Sequence, residues 1–374
     1  MNPFVLLILL FVVCEIVLTA VQFLLRKRKC KLWVRILLIV LKFLLSFSFA
    51  ALVMAGPVQL RVVQPLMMAA YLVLLGDAVA DLFYSVYQYG FKKERKFVVF
   101  KVVSLLFGIA ILVYGMLNMQ YVSARSHTYT SEKLFSEHKV VFVADMHVGS
   151  AQPFSVTEKT VDAMRKELPD ALILGGDITD DYTTKEEMQA TFALFKDFGC
   201  PVYYIFGNHD LQPHAEYANG TQYTEQELES VLTENGILIL RDTYAQIGTD
   251  LLLLGREDIS AGKLRKKASK IVNPLPEAYL IVADHQPVQA KENLKIGMDL
   301  QLSGHTHAGQ LFPLKWLYAL IGGYVYGDYE IGDAVMNVSA GACGWRLPLR
   351  TDAHCNYEVI TLKPAPRQAQ TAEE

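Results

Sequence analysis

The chain has 374 residues, enough for two or three domains, and its formal net charge of −3 gives no general reason to expect nucleic-acid binding. Hydrophobic residues make up 52% of the sequence, which is high for a soluble protein. The five cysteines are widely spaced and form no C-x-x-C pair. The sequence therefore predicts neither a disulfide framework nor a thiolate zinc site.

The first third of the chain contains most of the apolar excess. A helix needs about 20 apolar residues to cross a bilayer, and four stretches qualify: 3–25, 32–55, 65–90 and 97–119. We therefore predict a four-helix transmembrane region over 1–120. Buried helices of a soluble protein are the alternative, which is disfavoured because little polar sequence is present to cover four such runs.

Basic residues cluster in the first and third connections of this region, at 26–31 and 92–96. Short loops rich in Lys and Arg stay in the cytoplasm. This pattern predicts an integral membrane protein. Everything after about residue 120 is then expected to face outside the cytoplasm.

Four charged residues fall inside the apolar runs: Glu15, Lys42, Asp77 and Asp81. A charge at membrane depth is costly and usually faces a partner. Since Lys42 and Asp77 both come near mid-span, an ion pair that specifies helix packing is the main expectation. The alternative is a transport or relay role, which would make the chain a transporter or sensor.

After Ser131, short apolar runs alternate with helical patterns at 157–168 and 185–198, as is typical of a layered α/β domain. We predict a linker at 121–137, a folded domain at 138–363 and a disordered tail at 364–374. The predicted strands of the domain are 139–144, 171–174, 202–206, 237–240, 251–254, 279–283, 299–302, 335–338 and 357–362.

Five polar segments follow apolar runs, at the strand ends where open α/β sheets bind ligands. They are Asp145-Met146-His147, Gly176-Asp177, Gly207-Asn208-His209-Asp210, Asp284-His285 and Gly304-His305-Thr306-His307. Their side chains suit divalent ions of the Mn, Fe, Zn or Co class. Two ions can activate a water and clamp the phosphoryl oxygens, so the set predicts hydrolysis of phosphate esters.

The ordered motifs resemble the calcineurin-like metallophosphoesterase superfamily over roughly 138–363. The segment 305–310 is similar to its bacterial membrane-associated branch, which often has Gly where Ala308 stands. This similarity implies the bacterial plasma membrane as the location. The resemblance implies a double-sheet α/β sandwich with two divalent ions. It implies one ion at Asp145, His147, Asp177 and His307, and a second at Asp177, Asn208, His285 and His305. Asp177 would bridge them.

The same resemblance implies that His209 contacts the phosphate and protonates the leaving oxygen, with Asp210 orienting His209. These two residues argue against a non-catalytic binding module. The predicted substrate is a phosphorylated compound resident in the membrane, such as a phospholipid or a lipid-linked phosphate or pyrophosphate. Two observations motivate this expectation: the domain begins close to the last span, and the apolar segment 311–326 directly follows the His307 motif. That segment is either packed in the core or exposed at an interface.

Three further residues have weaker support. His214 is either in the substrate cleft or on the surface. Arg346 and Arg350 are candidates either for bidentate phosphate binding or for structural ion pairs.

Overall fold

The structure is a computed structural model that describes residues 13, 17–18, 21, 33–42, 44, 76, 78–87, 97–215, 220–271 and 277–365. The chain divides into two compact units, 1–116 and 117–374. Most of the spans predicted at 3–25 and 65–90, together with Glu15 and Asp77, lie outside the described residues. Nearly all of the predicted disordered tail does so as well.

In the first unit, residues 33–42 and 78–87 are helical. Lys42 Nζ lies 2.8 Å from Asp81 Oδ2, and both side chains are buried. The structure thus pairs Lys42 with Asp81, which stands one helical turn beyond the Asp77 of the prediction. A buried pair in contact favours the packing role over the relay role, because each charge already has its counter-ion.

Among the residues that the structure describes, no helix is long and apolar enough to cross a membrane. This finding contradicts the predicted integral-membrane localisation with an outward-facing domain. That localisation rested on apolar content and on basic loops, neither of which fixes the length of a helix.

The second unit begins with the last residues of helix α1 (Phe97–Met119) and contains two six-stranded sheets. The first sheet has the order β1-β12-β2-β3-β4-β5, and the second β10-β11-β9-β8-β7-β6. The strands of the first sheet are β1 (Val122–Ser131), β2 (His138–Val143), β3 (Ala171–Leu174), β4 (Val202–Tyr204), β5 (Ile237–Ile239) and β12 (Cys355–Pro364). Those of the second are β6 (Thr243–Ile247), β7 (Leu251–Gly255), β8 (Tyr279–Ala283), β9 (Leu300–Ser303), β10 (Gly327–Ile331) and β11 (Ala334–Val338).

Five more helices complete the second unit: α2 (Phe154–Lys166), α3 (Lys185–Ala193), α4 (Glu225–Glu234), α5 (Ala290–Leu294) and α6 (Leu314–Leu320). Helices α3 and α4 begin with capping boxes, in which Thr184 and Thr224 each exchange hydrogen bonds with the glutamate three residues later.

Alternation along β2 divides the core into two layers. Val141 and Val143 pack with residues of α2, α3 and α4. Val140 and Phe142 point the other way and pack with strands of the second sheet, such as β8 and β9. Because successive strand side chains face opposite sides, one fully apolar strand can serve both layers. The predicted double-sheet α/β fold is confirmed.

The segment predicted as a linker is an edge strand instead. Strand β1 pairs in parallel with β12 from Val122 to Ser131. Its inward positions are Arg125, His127 and Tyr129, so the half-buried alternation has no apolar signature. Helix α4 and strands β6 and β10 were also not predicted.

The pairing of the strands brings the polar motifs to one edge. Strands β2, β3 and β4 run parallel, as do β8 and β9. Since the carboxyl ends of parallel strands meet at one edge of a sheet, the segments that follow them converge there.

Candidate metal centre

Two groups of side chains stand at this edge with their ligand atoms close enough to share an ion. The first contains Asp145, His147 and His307. The second contains Asp177, His285 and His305. These groups contain six of the seven metal-ligand residues predicted from the sequence, with the same division between the two ions.

The spacing of the first group fits a coordinated ion. His147 Nε2 lies 3.3 Å from His307 Nε2, and Asp145 Oδ1 lies 3.9 and 3.6 Å from these two nitrogens. Ligand atoms around a tetrahedral ion at about 2.0–2.1 Å stand about 3.4 Å apart. The side-chain oxygen of Asn208, the seventh predicted ligand, is buried and has no hydrogen-bond partner among the described residues. The donor set therefore fits two divalent ions.

Asp177 stands between the two groups. Its Oδ2 lies 3.1 Å from His285 Nε2 in its own group and 3.8 Å from His147 Nε2 in the other. Its Oδ1 accepts a hydrogen bond of 2.7 Å from the backbone N–H of His209. One carboxylate oxygen is thus fixed by the protein, while the other faces both groups, as a bridging ligand requires.

Backbone carbonyls orient two of the histidines. His285 Nδ1 lies 2.9 Å from the carbonyl oxygen of Gly175, and His307 Nδ1 lies 3.0 Å from that of Cys343. A carbonyl can only accept, so each Nδ1 carries the proton and each Nε2 keeps its lone pair for an ion. Arg350 is fully buried and donates to the carbonyl oxygen of Cys343 as well.

The backbone at the ligands is unusual. Five of the predicted ligands are non-glycine residues with a positive φ: Asp145, His147, Asp177, His305 and His307. Each such residue costs on the order of 1–3 kcal/mol unless local contacts compensate. Close approach adds a second constraint, because a Cβ at Gly207 would lie 2.2 Å from Asp177 Oδ1. Only glycine fits there.

His209 stands beside the first group, with its ring centroid 5.7 Å from that of His147. Its Nδ1 lies 2.7 Å from Asp181 Oδ2. The predicted partner, Asp210, accepts instead from the backbone N–H groups of Asp177, Thr179 and Gly207. The prediction that Asp210 orients His209 is therefore wrong, because its carboxylate points into the strand ends and ties them together.

Comparisons with known proteins agree with this geometry. Residues 138–309 match the family model described as calcineurin-like phosphoesterase. Residues 138–309 are thus similar to the calcineurin-like phosphoesterases. The match ends just after the segment that holds His305 and His307, and so contains every predicted metal ligand. The two-ion cofactor predicted from the sequence is confirmed at the level of the family and of its two ligand groups.

Relatives of the phosphoesterase domain occur in several bacteria and in animals. An uncharacterized metallophosphoesterase of Helicobacter pylori strain J99 is 31% identical over 249 residues, 62% of each chain. YkuE of Bacillus subtilis is 27% identical over 263 residues, 65% of this chain and 86% of the relative. A Danio rerio protein named as a transmembrane protein with a metallophosphoesterase domain is 26% identical over 283 residues, which is 71% of this chain and 63% of the relative. The chain thus spans about 62% of the length of the Helicobacter relative.

Solved structures resemble the domain at low identity. A dimetal phosphatase from Danio rerio is 10% identical, with a TM-score of 0.36, over 55% of this chain and 87% of that one. TT1561 of Thermus thermophilus is 14% identical, with a TM-score of 0.38, over 55% and 89%.

The buried charges of the phosphoesterase centre shift one another's protonation. Burial alone would raise the pKa of Asp177, but His285 and His147 hold it well below the usual range. Burial would lower the pKa of His147, but the nearby Asp180 carboxylate, 3.4 Å from Nδ1, and the charges of Asp177 and Asp145 raise it to about 9. The same carboxylates raise the pKa of His285. Without ions, these protons balance the carboxylates.

The two histidines of the C-terminal motif behave in the opposite way. Burial and the charge of His285 lower the pKa of His305 to about 4. Burial and the charge of His147 lower that of His307. Both imidazoles are therefore neutral near pH 7, which is the state that binds metal.

Other predicted residues have different surroundings. Asp284 is held by a bidentate ion pair with Arg265, at 2.9 and 2.5 Å. Arg350 is too deeply buried to meet a substrate and donates to backbone carbonyls. The exposed His214 does stand beside the centre, with its ring 6.0 Å from that of His209.

One interpretation of the sequence placed the apolar segment after His307 in the core. The structure instead places helix α6 of this segment at the surface. Every residue of α6 is exposed or half-buried, and Trp316, Leu320 and Ile321 are 61, 81 and 80% exposed.

Two functional candidates were missed in the sequence. Asp181 follows the Asp177 motif by four residues, which was a usable signal. Gln310 follows the His307 motif and holds the loop 345–349 by three hydrogen bonds; nothing in the sequence indicated that contact.

The shifted pKa of His147 predicts that metal binding releases protons. His147 is protonated in the metal-free fold below about pH 9 and must lose its proton to bind an ion. Apparent affinity for Mn²⁺ should therefore rise from pH 6.5 to 9, by up to about tenfold per pH unit for each proton released. Calorimetric titration in two buffers of different ionisation enthalpy measures the released protons.

Stability should change in the opposite direction. A histidine whose pKa is raised from 6.5 to about 9 on folding stabilises the metal-free fold fully below pH 6.5. This contribution is lost as the pH rises through 9. His127, paired with Glu358 and Asp328, has a pKa raised to about 9 and adds the same trend. His127→Asn is therefore the control: it should flatten the stability profile but leave proton release unchanged. Metal binding without proton release at pH 7 would contradict the conclusion that His147 is protonated in the metal-free fold.

Proposed function

We propose that the chain is a metal-dependent phosphoesterase that hydrolyses phosphate esters at the centre built around Asp177. The observation that carries the proposal is the pair of ligand groups that share Asp177, with a histidine outside both groups beside them. Ligand groups alone would also suit a structural metal site. A further imidazole held by its own carboxylate adds a group suited to proton transfer.

Two divalent ions at these groups would supply Lewis acidity toward a water and toward the phosphoryl oxygens. Asp145, His147, Asp177 and His307 would hold one ion, and Asp177, Asn208, His285 and His305 the other. The chain itself contributes orientation, because Gly175, Cys343 and the backbone N–H of His209 fix ligand atoms before any substrate arrives.

His209 would protonate the leaving oxygen. Its Nδ1 bonds to Asp181 Oδ2, which leaves Nε2 as the nitrogen that exchanges a proton with the substrate. The pKa of Asp181 is lowered mainly by this bond to His209, against the effect of burial. An ionised Asp181 stabilises the imidazolium that donates the proton, so Asp181 is a positioning residue.

The alternative function, transport or sensing through charged apolar segments, has less support. Of the four charges that motivated it, Lys42 and Asp81 pair with each other, and Glu15 and Asp77 lie outside the described residues. The described charges therefore offer a packing role, whereas the metal centre has a full set of chemical groups.

We also propose that the substrate carries an apolar part, as in a phospholipid or lipid-linked phosphate. Helix α6 begins seven residues after His307, and a Cβ at Gly309 would lie 2.5 Å from the backbone nitrogen of Lys315, so the helix packs closely on the ligand segment. Trp316, Leu320 and Ile321 offer a large exposed apolar surface there. An acyl chain would cover it while the phosphate reaches the ions.

Asp177→Asn tests the bridging ligand. Loss of one negative charge between two ions should remove most bound metal and abolish hydrolysis, since Asp177 faces both groups. Elemental analysis and p-nitrophenyl phosphate hydrolysis measure the two effects, with circular dichroism as the check on folding. Asp170→Asn, which changes an exposed carboxylate just before β3, is the control. Two ions per folded Asp177→Asn chain would contradict the bridging role.

His209→Ala should keep its metal and lose about 10²–10⁴-fold in turnover, the usual contribution of a general acid. The loss should be smaller for p-nitrophenyl phosphate than for an alkyl phosphate, because a good leaving group needs less protonation. Asp181→Asn should lower turnover less, and should have no further effect in the His209→Ala background. Asp210→Asn should instead lower the melting temperature, because it loosens three strand-end N–H groups. Additive effects of Asp181→Asn and His209→Ala would show that Asp181 does not act through His209.

The apolar substrate part is tested by comparing a short-chain phosphatidic acid with glycerol phosphate, each below its aggregation limit. Leu320→Ser with Ile321→Ser should reduce the preference for the lipid by roughly tenfold, since burying one large apolar side chain contributes about 1.5–3 kcal/mol. Phe135→Ser, an exposed phenylalanine before β2, is the matched control. An unchanged preference in the double variant would refute the apolar contact.

A further inference from the structure

A small cavity of about 140 Å³ opens beside His209, and no predicted metal ligand is among its described lining residues. It is lined by Asp181, Tyr182, His214, Trp345 and Arg346. The Trp345 ring lies 5.5 Å from the ring of His209, and the His214 ring 6.0 Å from it. Because His209 would face the leaving oxygen, this cavity lies where the leaving group would extend.

The cavity is rich in hydrogen-bond donors. Its lining includes a guanidinium, an imidazole, an indole N–H and a phenol, and Asp181 is the one carboxylate among the lining residues that the structure describes. Both oxygens of Asp181 are already used, Oδ2 by His209 Nδ1 and Oδ1 by the backbone N–H of His214, each at 2.7 Å. The indole nitrogen of Trp345 is buried and has no acceptor among the described residues. Such a surface suits an oxyanion rather than a cation.

Arg346 supplies the positive charge. Its guanidinium stacks 5.2 Å from the centre of the Trp345 ring, and Nε donates to the Tyr182 hydroxyl at 3.1 Å. Stacking and this hydrogen bond hold the planar fork in place, which is the geometry that binds a carboxylate or phosphate.

The loop that carries Trp345 and Arg346 is held in place by hydrogen bonds to Gln310. Gln310 accepts from the backbone N–H of Trp345 at 2.9 Å and donates to the carbonyl oxygens of Leu347 and Leu349 at 3.0 Å each. Arg346 has a φ of 57°, a costly conformation for a side chain of this size. The strained Arg346 thus stands in a loop that Gln310 holds through neighbouring residues, which indicates a preorganised contact.

We propose that this cavity is a leaving-group subsite that selects phosphoesters carrying a second anionic group, a carboxylate or a phosphate, on the leaving side. Arg346 is its specificity-determining residue and Trp345 its wall. The inference deepens the proposed function and rests on it for the statement that the anion belongs to a substrate. The binding of an anion at Arg346 is independent of turnover.

The test uses the full chain loaded with Mn²⁺ and two matched pairs of compounds. Hydrolysis is compared between 2-phosphoglycolate and its amide, 2-phosphoglycolamide. Binding is measured by calorimetry with the non-hydrolysable analogues 3-phosphonopropionate and 3-phosphonopropanamide. One charge-assisted hydrogen bond should give the carboxylates at least about a tenfold advantage in kcat/KM and in Kd.

Arg346→Gln should reduce both ratios to within about twofold of unity, and Arg346→Lys should keep part of them because the charge remains. Ratios are the readout, so a general loss of activity cancels. Arg165→Gln is the matched control, because Arg165 also stacks on an aromatic ring, that of Phe198, at 5.2 Å. Its ratios should equal those of the unaltered protein.

The outcomes separate the two proposals. Equal binding of the carboxylate and the amide by the unaltered protein, or equal ratios in Arg346→Gln and Arg165→Gln, would overturn the subsite. Hydrolysis of neither ester together with an Arg346-dependent binding ratio would support the subsite as an anion site and reject the proposed function.

Discussion

The carboxylate of Asp177 is the contact on which the rest of the centre depends. It stands at the end of β3, with one oxygen fixed by the N–H of His209 and the other facing His285 and His147. The approach is so close that Gly207 has no space for a side chain. Two strand ends and both ligand groups are thereby tied to a single charge, and that charge keeps the pKa of His147 and His285 high.

A second layer of carboxylates stabilises this edge of the sheet, and each carboxylate contacts a different part of the centre. Asp210 ties the backbone of three neighbouring turns, so that the strand ends cannot separate. Asp181 holds the imidazole of His209, and Asp180 lies 3.4 Å from His147 Nδ1. The two adjacent acids after Asp177 therefore serve two different histidines. The sequence motif predicted Asp210 in the role that Asp181 has, because the motif alone does not fix which nearby carboxylate reaches the imidazole.

The ligand set was predictable because its chemistry and its position coincide: each polar motif directly follows an apolar strand. Strand β1 was not predictable, since its inward residues are Arg125, His127 and Tyr129 and its pairing with β12 joins positions more than 200 residues apart in the chain. The cavity beside His209 was also not predictable from the sequence. Trp345 and Arg346 reach it only because Gln310 fixes a loop 35 residues further on. Contacts of that kind depend on tertiary packing, which propensity and spacing do not encode.

The positive φ angles at Asp145, His147, Asp177, His305 and His307 have a consequence for how such a domain evolves. At each of these positions glycine would relieve backbone strain, and at the acidic ones it would also remove a buried charge. Backbone strain alone would therefore favour glycine at these positions, but His147 and Asp177 also belong to buried charge pairs that stabilise the metal-free fold. The presence of all five in one chain fits a trade-off in which activity, rather than backbone strain, decides the sequence at the strand ends.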